Sequence, residues 1–155
     1  PRGALEGHPN KELYLKWAKE GHLILLEGDV IDYDAIACDI MAISPLMDVM
    51  NVGYDPYKSV DFINMISAMG AKDFLKPLSQ TYGNFTGGVE ATEIAIHTGH
   101  MTFEPNPITS WCFGNCIMDE DRLENRKPIK REKYHKIDGA ITTIMTLILF
   151  NNFER

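Results

Sequence analysis

Two aspartates of this 155-residue chain stand where a fold can put a carboxylate to chemical use. Asp55 closes the run Val49-Met50-Asn51-Val52-Gly53-Tyr54 and is followed by Pro56. An apolar, strand-forming run stopped by Asp-Pro predicts a buried strand whose last side chain reaches the carboxyl edge of a sheet, where open α/β sheets hold their ligands. Asp138 sits in Lys136-Ile137-Asp138-Gly139-Ala140 and opens a long apolar helix. Brought together by folding, a strand-end and a helix-start carboxylate make a site for a hard divalent cation. Mg²⁺ and Mn²⁺ prefer oxygen ligands and keep several waters while carboxylates hold them against substrate phosphates. Two such ions about 3.5 to 4 Å apart hydrolyse phosphodiesters, one activating water and the other stabilising the leaving oxygen. Taken singly, Asp55 is also a turn residue before proline and Asp138 a helix cap.

Immediately before Asp138 the charge of the chain reverses. The net charge of −7 argues against a nucleic-acid coat, yet Arg122, Arg126, Lys127, Lys130, Arg131, Lys133 and Lys136 face only Glu124 and Glu132 in that segment. Such a stripe is either a solvated loop or a contact for a phosphate backbone. On the second reading Lys127, Lys130, Arg131, Lys133 and Lys136 bind DNA, and Lys136 holds the scissile phosphate or offsets the carboxylates. His135 is a possible accessory group for a phosphate or a water, and more plainly a surface histidine. Glu93, with Glu90 on the same helical side, is a possible accessory ligand, and more plainly a solvated glutamate. Asp29, Asp32 and Asp34 read as turn and cap residues. Cys38, Cys112 and Cys116 are an odd set that fits reduced intracellular thiols. Cys112 and Cys116 could share a helix face, but no second Cys/His pair completes a zinc site.

The elements that must carry these residues follow from periodicity and punctuation. Residues 1–9 read as a linker, 10–150 as one domain and 151–155 as a tail, with nothing resembling a cleaved signal. Asn10 caps a helix from Lys11 to about Glu20; His22 to Glu27 is a short strand; Asp32 or Asp34 caps a helix to about Ile43, ended by Ser44-Pro45. The strand to Asp55 follows, giving a βαβ unit. Next come a helix from about Ser59 to Met69, a strand from Phe74 to Gln80 and a helix from Val89 to Thr98 after Gly87-Gly88. A further helix, Pro107 to Asn115, is capped by Asn106, and Ile117-Met118 form a short strand. The last helix, Asp138 to Phe150, is apolar nearly all round and should be deeply buried. No run approaches the roughly 20 apolar residues of a membrane span, so no membrane partner is expected. The sum is a three-layer α/β domain with helices on both faces of a mostly parallel central sheet.

Four separated segments, taken together and in order, carry a resemblance. Leu23…Glu27-Gly28…Asp32-Tyr33-Asp34-Ala35-Ile36, Gly53-Tyr54-Asp55-Pro56-Tyr57, Asn106-Pro107…Trp111…Asn115 and Lys136-Ile137-Asp138-Gly139-Ala140 resemble the C-terminal nuclease domain of the large terminase subunit of tailed bacteriophages. The resemblance implies an RNase H-like fold and metal-dependent endonuclease cleavage of concatemeric double-stranded DNA during genome packaging. It implies Mg²⁺ or Mn²⁺, two ions in the complete site. Its implied partners are the packaging ATPase domain upstream, the portal and the small terminase subunit, in the cytoplasm of a bacterial host. Position by position, Asp55 matches the acidic residue ending the fourth strand and Asp138 the one opening the last helix, so both are expected to be catalytic metal ligands. The family's first catalytic aspartate lies on a first strand upstream of the matched region, and no Gly-x-x-x-x-Gly-Lys-Ser/Thr is present. The expectation is a fragment of a larger subunit, weak or inactive alone, whose unpaired central strand seeks an edge-to-edge dimer. The alternatives are another RNase H-like nuclease of the resolvase or transposase type, and a non-catalytic docking module for a portal or partner subunit.

Overall fold

The computed structural model describes residues 1–153; of the expected tail, Glu154 and Arg155 lie outside the described residues. Ten regular elements follow in order: α1 (Lys11–Lys19), α2 (Tyr33–Ile43), β1 (Val52–Tyr54), α3 (Val60–Ile66), β2 (Leu75–Pro77), α4 (Tyr82–His97), α5 (Pro107–Gly114), β3 (Cys116–Glu120), β4 (Arg126–Lys130) and α6 (Asp138–Phe153). The architecture is α/β, as expected.

The core forms where α6 meets α4. Phe85 and Val89 of α4 pack with Ile137, Ile141, Ile144 and Met145, and Leu78, Cys116 and Ile148 close around them. Only one side of α6 is buried, because its threonines give the other side to water: Thr142 and Thr146 are exposed. Their hydroxyls donate back to the carbonyls of Asp138 (3.0 Å) and Thr142 (2.9 Å), which spares the helix unsatisfied donors. The expectation of a helix buried nearly all round therefore fails at Thr142, Thr146 and the exposed Phe150.

Gly87-Gly88 does not precede a helix as expected; α4 begins at Tyr82 and runs through both glycines. Thr81 caps it, its hydroxyl accepting from the Asn84 N–H at 3.3 Å. Gly88 is the point where α4 and α6 touch. A Cβ there would lie 2.9 Å from Cγ2 of Ile144 and closer still to Ile148. Close helix packing thus outweighs the poor helix propensity of glycine.

The strands are shorter than the sequence suggests. β1 pairs in parallel with β2, Gly53 opposite Lys76, and β3 pairs antiparallel with β4, Met118 opposite Pro128. Among the described residues these are two two-stranded sheets in place of one larger parallel sheet. No strand forms at His22 to Glu27, so the expected βαβ unit does not arise there. Among the described residues that segment receives only the Arg2 N–H (to Leu26 O, 2.7 Å), and Gly3 pairs just beyond it (to Gly28 O, 2.9 Å), too few partners for a ladder. The run from Val49 narrows to Val52–Tyr54 because β2 offers only three residues to pair with. Residues 1–9 carry a short 3-10 turn whose Leu5 is buried. Asn10 does not cap α1; its side-chain amide donates instead to the Tyr134 carbonyl at 3.1 Å. Asn106 does cap α5, accepting from Ile108 (2.9 Å) and Thr109 (3.3 Å).

Candidate active site

Asp55 is delivered by a strand that lies directly on α6. A Cβ on Gly53 would meet Leu149 at 2.9 Å, Leu78 at 3.3 Å and Met145 at 3.6 Å, so glycine is what lets β1 approach. β2 runs parallel to β1, and the chain leaving β2 brings Gln80 to a cavity shared with Ile137 and Ile141, at the amino end of α6. Asp55 follows the last residue of β1. The carboxylate is half-buried, and Oδ1 accepts the Tyr57 N–H at 3.0 Å, the turn that Asp-Pro implies. Among the described residues no protein donor meets Oδ2.

Asp138 is the exposed first residue of α6, where the helix dipole favours negative charge. No side chain or N–H among the described residues donates to its carboxylate. Asn115, only 6% exposed, fixes the loop that leads to it. Its amide donates to the Lys136 carbonyl at 3.0 Å, and its own carbonyl accepts the Arg131 N–H at 3.0 Å, so both ends of the 131–136 loop are tied to one residue. α5 supports the first turn of α6 from beneath, since a Cβ on Gly139 would sit 3.3 Å from the Cys112 Cβ. Burial, with a smaller push from Asp138, raises the Tyr14 hydroxyl above its ordinary value. Burial likewise raises the Cys112 thiol and pushes that of Cys116 to about 11.

The remaining sequence candidates fall into different environments. Lys130, Arg131, Lys133 and Lys136 are exposed. Lys130 lines a cavity with Gln80 and Ile137, and Lys136 shares another with Asp138. Lys133 lies over the Tyr134 ring at 5.5 Å. Lys127 is half-buried on β4, its ammonium 4.4 Å above the Tyr82 ring, whose hydroxyl donates to Asp119. His135 is half-buried edge-on to Trp111 at 6.4 Å, with Nε2 3.7 Å from Glu132 and Nδ1 buried without a partner. Glu93 grips Arg126 through two hydrogen bonds of 3.2 and 2.9 Å, beyond Gly88 and toward the carboxyl half of α6. It serves there as a tie between α4 and β4, away from Asp138. Glu90 is exposed.

Among the described residues no three His, Cys, Asp or Glu side chains gather into a metal-binding cluster. Asp55 Oδ2 and the Asp138 carboxylate offer hard oxygen donors that no described group engages, and two carboxylates brought together suffice for one Mg²⁺ that keeps waters and a substrate phosphate. A two-ion site needs further carboxylates than these. The sequence signals the role of Asn115 only as a polar side chain directly after an apolar helix, within one of the four segments.

The sequence model described as "Terminase large subunit, endonuclease domain" matches residues 2–154. "Protein YmfN" of Escherichia coli (strain K12) is 28% identical over 149 residues, covering 92% of this chain and 31% of that protein. "Terminase, large subunit" of Enterobacteria phage HK97 is 25% identical over 134 residues, covering 86% of this chain and 27% of that one. The chain thus spans less than a third of the length of these relatives. The crystal structure of the HK97 bacteriophage large terminase superposes with a TM-score of 0.82 at 24% identity, over 94% of this chain and 31% of that one, which establishes likeness of fold.

Proposed function

The chain belongs to the family of terminase large subunit endonuclease domains, and we propose that it is the DNA-cleaving part of a phage packaging enzyme. The proposal extends to an RNase H-like fold whose sheet is completed in the larger subunit. It further extends to hydrolysis of concatemeric double-stranded DNA with Mg²⁺ or Mn²⁺ held by Asp55 and Asp138. The principal support is that each carboxylate stands at the end of an element, Asp55 after β1 and Asp138 opening α6, and that among the described residues no donor meets Asp55 Oδ2 or the Asp138 carboxylate, in a chain that the endonuclease-domain model matches over residues 2–154. When bound, the ions would activate a water and stabilise the leaving oxygen.

The chain's own residues do the rest. Asn115 fixes the loop before Asp138, and Lys130, Arg131, Lys133 and Lys136 meet phosphates as exposed cations. Lys127 contributes less freely because its charge is held over Tyr82. No element is presented as a recognition helix, so sequence preference is weak. Proposed partners are double-stranded DNA, an upstream packaging ATPase domain, the portal and the small terminase subunit, within the bacterial host cytoplasm. No described helix is long and apolar enough to cross a membrane.

Plasmid nicking tests the proposal. Mn²⁺-dependent nicking should be abolished by chelator. It should fall at least about 100-fold in Asp55→Ala and in Asp138→Ala, since even the partners of metal ligands are worth roughly 10- to 100-fold. Nicking unchanged in both variants excludes the assignment. If the chain alone is inactive, residues restored upstream should rescue cleavage, and the two variants are then read in that longer chain.

A docking role has its own support. Beside β1 lies an apolar groove of about 610 Å³, lined by Met47 to Gly53 and by Met145, Leu149 and Phe150 of α6, along the strand edge that β2 leaves free. Such an edge accepts an added strand.

A further inference from the structure

Both tryptophans of the chain wall one cavity of about 460 Å³ that cleavage, as proposed, leaves unused. Trp17, 4% exposed, meets Trp111 at 5.3 Å between ring centres, and Tyr14 stands against them at 5.9 and 6.1 Å. Leu5, Ile24 and Ile108 extend the apolar lining, and Ile24, 75% exposed, forms part of the rim. Lys136 and Asp138 line the same cavity. An aromatic and aliphatic chamber therefore opens beside the candidate metal ligand and a cation suited to phosphate. Its size falls within the roughly 300 to 1,000 Å³ of small-ligand sites.

A phosphate held by Lys136 beside Asp138 carries a base one sugar away. Aromatic side chains take bases by stacking, which every base permits and which needs no hydrogen-bond code. Inside an intact duplex both faces of a base are covered by its neighbours, so only an unpaired base can enter. The geometry points to a pocket for one unpaired nucleobase next to the cleaved phosphate. The enzyme then cuts preferentially where DNA is frayed, melted or flipped, and intact duplex is the poorer substrate. This rests on Asp138 being at the reacting phosphate.

The two tryptophans make the pocket directly measurable by intrinsic fluorescence, in EDTA, where no cleavage occurs. A short single-stranded oligodeoxynucleotide should quench it; a blunt duplex and a strand of abasic sugar-phosphates of equal length should not. Trp111→Leu should weaken single-strand binding by about 5- to 150-fold, the range expected for one lost stacking partner. Ile108→Phe, which fills the chamber without removing an aromatic, should weaken it as well, with thermal melting confirming that each variant is folded. Equal quenching by the abasic strand, or single-strand affinity unchanged in a folded variant, overturns the inference. Should that happen while Mn²⁺-dependent nicking persists, the pocket alone is lost; cleavage fails separately, by nicking that survives Asp138→Ala.

Discussion

Asn115 illustrates how much of a site can depend on a side chain that touches no substrate. Its side-chain amide fastens one end of the loop that leads to Asp138, and its backbone carbonyl fastens the other. Asn115→Ala leaves the Lys136 carbonyl without its donor and should cost about 1 to 3 kcal/mol, read as a lower midpoint in urea, with nicking reduced at temperatures where the protein remains folded. Full nicking activity in a folded Asn115→Ala protein would show that the loop needs no clamp. The thiols provide a second check. Cys38 is exposed whereas Cys112 is buried and Cys116 half-buried, so a thiol reagent at neutral pH should modify Cys38 first and the other two only on unfolding. The raised Cys116 thiol also sets a pH limit. A folded value above the ordinary 9.0 contributes stability that is complete below pH 9.0 and is lost as pH climbs toward about 11. Cys116→Ser should flatten that alkaline loss. Asp55 and Asp138 were visible in the sequence because each ends or begins a strongly patterned run. For Glu93 a spacing of three in a helix is equally the signature of a glutamate paired across to another element, and its partner, Arg126 of β4, carries no mark in the sequence.

The helices were read well where caps and stops are strong, as at Asn106-Pro107 and at Asp32, whose carboxylate accepts the Ala35 N–H at 3.0 Å. Short strands are less legible, because pairing partners decide them: the His22 to Glu27 run has strand-like composition, but among the described residues only the Arg2 N–H pairs with it from outside. Gly87-Gly88 looked like punctuation and proved to be packing. The two glycines give a direct contrast, since a Cβ at Gly88 collides with Ile144 and Ile148 while one at Gly87 meets nothing within 4 Å. Gly88→Ala should destabilise the fold by about 1 to 3 kcal/mol through overpacking. Gly87→Ala should stabilise it by roughly 0.5 to 1 kcal/mol through helix propensity. Thermal or urea melting of the two variants reads both signs, and a stabilising Gly88→Ala would refute the close contact between α4 and α6.

Charge divides the whole chain into unlike parts. Between Glu27 and Asp61 eight acids, Asp55 among them, stand against the single base Lys58, while the segment from Arg122 to Lys136 is basic, so the basic segment should draw in the DNA backbone and the acidic one should need a bound cation to offset its charge there. Lys130→Ala and Arg131→Ala should each weaken DNA binding regardless of sequence and flatten its salt dependence by nearly one ion, whereas Lys127→Ala, whose charge sits over Tyr82, should do less. Equal slopes in all three variants would place the DNA elsewhere. The overall α/β class was readable from alternating patterns along the sequence, but the extent of the sheets was not, because it depends on which strands lie side by side. The central claim is that Asp55 and Asp138 share a cation, and a crystal soaked in Mn²⁺ tests it most directly through anomalous scattering. An anomalous peak is expected within about 2.0 to 2.3 Å of carboxylate oxygens from both residues. Ordered carboxylates with no peak between them, or a peak bound by neither, would contradict it.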